Sequence, residues 1–249
     1  MPAPSPDATA PVASLRANVR AVRDRVDAAA RAAGRDPSDV RLLVATKTQP
    51  AESVRAVVDA GVELVGENRV QELVAKAPDL ADLVASGAVT VHMIGHLQRN
   101  KINQVLTTAS TVQTVDSADL ADALSARCVR DGVSLDVMVQ VNVSGEAAKS
   151  GVVPDDAPSL ARDVAALPGL RLTGFMTIGA RSTDEAEVRA GFARLREVRD
   201  AVVQSGDPLT RDARELSMGM SGDLELAVAE GATIVRVGTA VFGPRPPQG

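Results

Sequence analysis

The chain has 249 residues, 45% of them hydrophobic, and a net charge of −5, which suits one α/β barrel or two small domains around a sizeable core. It has three Phe and neither Trp nor Tyr, so the core is built from Ala, Val and Leu, and the acidic balance without stacking aromatics argues against a nucleic-acid partner. The single cysteine, Cys128, forms no internal disulfide; no apolar run reaches the roughly 18 residues of a membrane span; and MPAPSPDATAP lacks the order of a secretory signal, so a cytosolic protein is expected.

Residues 1–12 read as a disordered tail ahead of one domain spanning 13–249. Residues 14–33 place Val19, Val22 and Val26 at helical spacing, and Gly34 suits the end of that helix. The stretch VRLLVATKTQP, 40–50, predicts a strand over 41–46 whose run of Leu42, Leu43 and Val44 fits a parallel strand buried on both faces. Lys47 stands at its end, and Pro50 opens a helix over 51–60, closed by Gly61. A short strand at 62–65 ends in Gly66, Glu67 and Asn68. The helix over 69–77 is expected to stop at Pro78. Further strands are predicted at 89–94, 111–115, 135–143, 170–178, 215–218 and 234–237. Ser117 suits the N-cap of the helix after the fourth, and a long charged helix covers 185–204. Eight strands alternating with helical segments in a chain of this length are the pattern of a (β/α)8 TIM barrel. The extra N-terminal helix is expected to fill the place of the final one.

Barrels bind ligands at the C-terminal ends of their strands, so Lys47, Asn68, His96, Ser217 and Thr239 are expected to face one mouth. A lysine walled by apolar residues shifts toward the neutral amine, which adds to an aldehyde and forms a Schiff base. On local sequence alone, Lys47 also fits a solvated strand-end lysine. Two Gly-rich turns, from Ser217 to Gly222 and at Gly238-Thr239, follow the seventh and eighth strands, where barrels bind phosphate through backbone N–H groups. Each by itself reads as an ordinary tight turn. A Schiff-base lysine together with a phosphate site implies pyridoxal phosphate. His92 and His96 gain no Cys or carboxylate that would make them metal ligands, and Met176 and Met220 read as wall residues.

The motifs ATKTQP, GENRVQEL, HMIGHLQRNK, VNVSGEAAKSGV, GFMTIGA and ELSMGMSGDLELAVAEGATIVRVGTAVFG, in that order from about Leu15 to Gly243, closely resemble the pyridoxal phosphate homeostasis proteins. They are also similar to the N-terminal barrel of alanine racemase. The resemblance implies that Lys47 carries pyridoxal 5'-phosphate covalently, with Asn68 near the ring. It implies that Ser217, Gly238 and Thr239 hold the phosphate, with Met220 and Ser221 close by, and that Arg236 points into the barrel toward the pyridine nitrogen. Where that family's third motif has a small residue or Pro after its glycine, this chain has His96.

An arginine stays protonated, so a pyridine nitrogen that accepts from Arg236 carries no proton of its own, and the ring is a poor electron sink. Alanine racemase works under that constraint with a lysine and a tyrosine as opposed bases, and this chain has no Tyr. Cys128 is expected in a helix away from the mouth. The expected function is therefore binding, buffering and delivery of the cofactor, by a monomer, to apo-forms of pyridoxal phosphate enzymes, without robust catalysis. The alternative is a weak amino-acid racemase or other pyridoxal phosphate enzyme; a more distant one is a barrel enzyme whose Lys47 forms an imine with a phosphorylated sugar. Lys149, in the loop after the fifth strand, reads either as a mobile residue in cofactor exchange or as a solvated loop lysine.

Overall fold

The computed structural model describes residues 12–146, 149–180 and 182–244. Eight parallel strands pair in chain order and close on themselves: β1 (Arg41–Ala45), β2 (Leu64–Glu67), β3 (Thr90–Met93), β4 (Thr111–Val115), β5 (Leu135–Gln140), β6 (Leu170–Met176), β7 (Glu215–Ser217) and β8 (Ile234–Val237). The helices around them are α1 (Val12–Ala32), α2 (Ala51–Asp59), α3 (Val70–Ala85), α4 (Ile102–Val105), α5 (Ala118–Asp131), α6 (Ala157–Ala166), α7 (Glu185–Val203), α8 (Leu224–Ala229) and the single turn α9 (Thr239–Phe242). Of the tail expected over 1–12, residues 1–11 lie outside the described residues and Val12 opens α1.

Side chains alternate along each strand between two apolar layers. The larger layer lies between strands and helices and takes Leu42 and Val44 of β1. The smaller fills the barrel and takes Leu43, Leu64, Ile94, Met138, Met176 and Ile234. Because α9 is so short, α1 supplies the missing helical cover. Its buried stripe of Leu15, Val19, Val22, Val26 and Ala30 packs on α2, α8 and α9, and Asn18 Nδ2 donates to the Val241 carbonyl at 2.8 Å. Gly34 follows α1 with φ +69°, and Ser117 Oγ accepts from the Leu120 amide at the start of α5. Cys128 is buried in α5.

Several expected boundaries are corrected, among them the end of β6, which stops at Met176 rather than 178. Pro78 does not end its helix but lies inside α3. Proline deprives the Val74 carbonyl of its donor, yet Val74 and Pro78 are both exposed, and Leu80 extends the buried face beyond them. β2 is shifted by two residues from the expected 62–65: it starts at Leu64 and includes Gly66 and Glu67. Gly66 faces the crowded barrel interior, where a Cβ would lie 2.7 Å from Leu43 Cδ2 and 2.8 Å from Ile94 Cδ1. β5 stops at Gln140 rather than 143, because the Asn142 side-chain amide turns to the carbonyls of Glu146 and Lys149 and builds a loop of its own.

Gly174, in β6, touches β7 so closely that an added Cβ would come within 2.1 Å of the Glu215 carbonyl oxygen. Backbone cannot swing aside as a side chain does, so Gly174→Ala is expected to lower stability by at least about 2 kcal/mol. Urea unfolding measures this; a midpoint equal to that of the parent protein refutes the tight β6–β7 contact.

Candidate functional site

Closure of the barrel sets Leu43 of β1 opposite Arg236 of β8 and Val44 opposite Val237. The residues that follow these strands therefore emerge side by side at the C-terminal mouth. A cleft of about 520 Å³ opens there, within the range of small-molecule sites. Lys47, Asn68, Met220, Ser221, Arg236, Gly238 and Thr239 all line it, with Ile94 and Ile178 among the apolar walls. Seven of the eight residues singled out in the sequence thus share one cavity. The eighth, Ser217, does not line it: it is fully buried, beneath the cleft.

Ser217 belongs to a polar chain that crosses the barrel. Arg236 Nη1 donates to Ser217 Oγ at 2.8 Å, and Ser217 Oγ donates to Gln113 Oε1 at 2.7 Å. That leaves Gln113 Nε2 to donate to His92 Nδ1, 2.9 Å away, so His92 is the neutral tautomer protonated on Nε2. Arg236 Nη2 donates to the Thr177 carbonyl at 2.7 Å. Burial pushes His92 down to about 4, helped by Arg41 and opposed by Asp136. Burial likewise lowers Arg236 to about 10, opposed by Asp223, which still leaves it a cation at neutral pH. Sequence reasoning missed Gln113 and the role of His92. A polar residue in the middle of the apolar strand TVQTV was the available signal, since such groups stay buried only with partners.

The opposite end of the cleft is made of backbone. Met220 N–H donates to Asp223 Oδ1 at 2.5 Å, and Ser221 Oγ accepts from the Ala240 amide at 3.3 Å, tying the turn after β7 to the turn after β8. Among the described residues the amides of Ser221 and Gly222 have no acceptor. Gly238 lies against β1, where a Cβ would stand 3.3 Å from the Ala45 carbonyl oxygen.

His96 lies in an adjoining lobe of about 380 Å³ with Gln140, Glu146 and Lys149, joined to the cleft through Asn68, Ile94 and Ile178. Lys149 is not the mobile loop residue considered above. Its Nζ donates to Glu146 Oε1 at 2.6 Å and to the Gly179 carbonyl at 2.9 Å, which anchors the loop across the mouth to the segment after β6.

These features fit pyridoxal phosphate. Arg236 is 6% exposed and bonds only neutral acceptors. No carboxylate pairs with it among the described residues, so the cleft holds a buried cation ready for an anionic or electron-rich ligand. Open amides at Ser221 and Gly222 beside the Thr239 hydroxyl supply donors of the kind that bind phosphate. Lys47 adds an amine within the same walls.

The family profile of the alanine racemase N-terminal domain matches residues 12–246. The pyridoxal phosphate homeostasis protein of Pseudomonas aeruginosa is 44% identical over 234 residues, covering 94% of this chain and 97% of the relative. Among solved structures, a protein from Bifidobacterium adolescentis superposes with a TM-score of 0.90 at 46% identity, over 97% of this chain and 98% of its own. PipY of Synechococcus elongatus with pyridoxal phosphate bound superposes with a TM-score of 0.78 at 33% identity, over 92% of this chain and all of its own.

His92 makes acid stability a probe of the barrel interior. Its folded-state value of about 4 lies below the ordinary 6.5, so the unfolded chain takes up the proton first. The contribution is complete above pH 6.5 and is lost as pH falls toward 4, by about 3 kcal/mol in all. His92→Asn, which does not titrate, is expected to flatten that part of the profile of urea-unfolding free energy against pH. An unchanged slope between pH 6.5 and 4 refutes the buried neutral imidazole.

Proposed function

The chain belongs to the pyridoxal phosphate homeostasis protein family, and we propose that it binds pyridoxal 5'-phosphate at the barrel mouth, buffers it and delivers it to apo-forms of pyridoxal phosphate enzymes. The observation that carries this is the pairing, in one cleft, of Lys47 with a buried guanidinium that has no carboxylate partner among the described residues. The cofactor-bound state of PipY, a relative of similar length, supports the ligand.

In this reading Lys47 Nζ holds the aldehyde carbon through a carbon–nitrogen bond that forms with loss of water and is reversed by water. Asn68 lies beside the ring, Met220 walls it, and Gly238 leaves room for it. Thr239, with Ser221 and its neighbouring amides, binds the phosphate. Arg236 donates an N–H to the pyridine nitrogen. Ser217, assigned to the phosphate on resemblance, acts instead through Arg236, whose Nη1 donates to its hydroxyl. Bound pyridoxal phosphate would supply a strong electron sink with its ring nitrogen protonated and a poor one without that proton. Arg236, a cation even at about 10, keeps its own proton and denies one to that nitrogen. The chain has no Tyr to act as a second base opposite Lys47. These two features support the reading of a carrier without robust catalysis. The reading also takes the protein to be cytoplasmic and monomeric; among the described residues no helix is long and apolar enough to cross a membrane.

Borohydride reduction followed by peptide mass spectrometry is expected to find the pyridoxyl group on Lys47 and to lose it in Lys47→Ala. An adduct confined to another lysine sinks the assignment. Affinity separates the two ends of the cleft. Losing one hydrogen bond to a charged group weakens binding by roughly ten- to a hundredfold, so Thr239→Ala is expected to weaken pyridoxal phosphate and spare pyridoxal. Ser217→Ala, acting through Arg236, is expected to weaken both; if it spares pyridoxal, Ser217 serves the phosphate.

Function itself is decided by two assays. The loaded protein as sole cofactor source is expected to restore an apo-enzyme's activity, while optical rotation across a panel of amino acids stays constant. Rapid racemisation that disappears in Lys47→Ala makes the protein an enzyme.

A further inference from the structure

Lys47 sits between two threonines, and each is held by charged groups behind the barrel. Thr46 is buried. Its carbonyl accepts from Lys76 Nζ at 2.8 Å, and its hydroxyl donates to Glu67 Oε1 at 2.6 Å. On the other side, the Thr48 amide donates to Glu72 Oε2 at 2.5 Å. Thr48 adopts φ +66°, a left-handed conformation that is strained for a β-branched residue and persists only where its surroundings enforce it. One cation joins the two halves: Lys76 Nζ lies 2.5 Å from Glu67 Oε1 and 3.6 Å from Glu72 Oε2.

Such a cluster is a poor way to stabilise a fold. Lys76 is 8% exposed and Glu67 2%, and Glu67 Oε2 is buried without a hydrogen-bond partner among the described residues. Burial raises the Glu67 carboxyl against the lowering effect of Lys76 and Thr46. Apolar packing in place of a buried ion pair is commonly as stable or more so. The cluster therefore does something that apolar packing could not, and what it touches is the backbone on either side of Lys47.

We propose that Lys76, with Glu67 and Glu72, is the positioning unit of Lys47: it clamps the Thr46 carbonyl and the Thr48 amide so that the side chain between them is held into the cleft. The proposal rests on Lys47 being the covalent anchor. It makes Lys76, Glu67 and Glu72 positioning residues, set behind β1 and β2 rather than in the cleft, whose lining includes none of the three.

The test uses the full chain loaded with pyridoxal phosphate, and two variants. Glu67→Gln/Lys76→Met removes the buried charges together; Glu72→Ala, at a partly exposed position, removes the acceptor of the Thr48 amide and leaves the Lys76–Glu67 pair in place. In both, hydrogen exchange at the Thr48 amide is expected to rise by about tenfold or more. The cofactor is expected to leave for an excess of apo-enzyme about tenfold faster, with the absorption band of the Lys47-linked chromophore altered. A merely structural role would instead lower the urea midpoint and leave the band in place. The proposal is overturned if Glu72→Ala keeps parental Thr48 exchange, or if faster exchange leaves cofactor release and absorption unchanged. If the double variant does not fold, Glu72→Ala alone decides between the two outcomes. Absence of a Lys47 adduct in the unsubstituted protein defeats the cofactor reading instead; the clamp on the loop then stands or falls on Thr48 exchange.

Discussion

The β1–β8 ladder is the contact on which the site depends. It joins the first strand of the barrel to the last, and its register, Leu43 against Arg236 and Val44 against Val237, brings together residues nearly two hundred positions apart. Without it Lys47 and Arg236 would sit on opposite edges of an open sheet. Closure also removes both sheet edges, so all eight strands are paired on both sides. Helix α1 protects this seam from outside: it packs on α2, α8 and α9, the helices on either side of it.

Two buried polar assemblies flank the cleft, and both pass through strand residues. One runs inside the barrel from His92 through Gln113 and Ser217 to Arg236. It is a one-way chain of donors that ends on a neutral imidazole, and it fixes the guanidinium without neutralising its charge. The other lies outside the barrel wall, where Lys76 and two carboxylates hold the backbone around Lys47. The alternation of side chains along a strand separates them. Leu43 and Ala45 face in toward the first, while Val44 and Thr46 face out toward the second. Polar groups in a low-dielectric interior hold one geometry strongly when satisfied, which fits the proposed role of the cleft in presenting Lys47 and Arg236 to one small ligand.

Arrangement around the mouth bears on the proposed difference between a reversible carrier and an enzyme on the same fold. A reversible bond at Lys47 needs a fixed amine, a phosphate cup and access for water. Nothing in that set calls for a second base, and the chain has no tyrosine to supply one. The loop bearing Lys149 is tied to Glu146 and to the Gly179 carbonyl, so the wider lobe containing His96 is a built part of the mouth.

Much of this was legible in the sequence because it rests on local rules. The alternation of apolar strand runs with helical stripes specifies a barrel; the glycines at 34 and 61 and the Ser117 cap mark helix ends; Lys47 and the turns at Ser221 and Gly238-Thr239 stand at strand ends, where a barrel binds ligands. What the sequence could not state was which side of the wall each polar residue takes and what it meets there. Ser217 reads as one more hydroxyl at a strand end, yet it lies under the cleft as the support of Arg236. GEN reads as a loop, yet Gly66 and Glu67 continue β2, and Glu67 reaches Lys76 and Thr46. Pro78 reads as a stop, yet packing of Leu80 carries α3 past it. Periodicity within a strand or helix is set by neighbours in the chain, so it can be read residue by residue. Partnership across the barrel depends on closure and register, which only the folded structure decides.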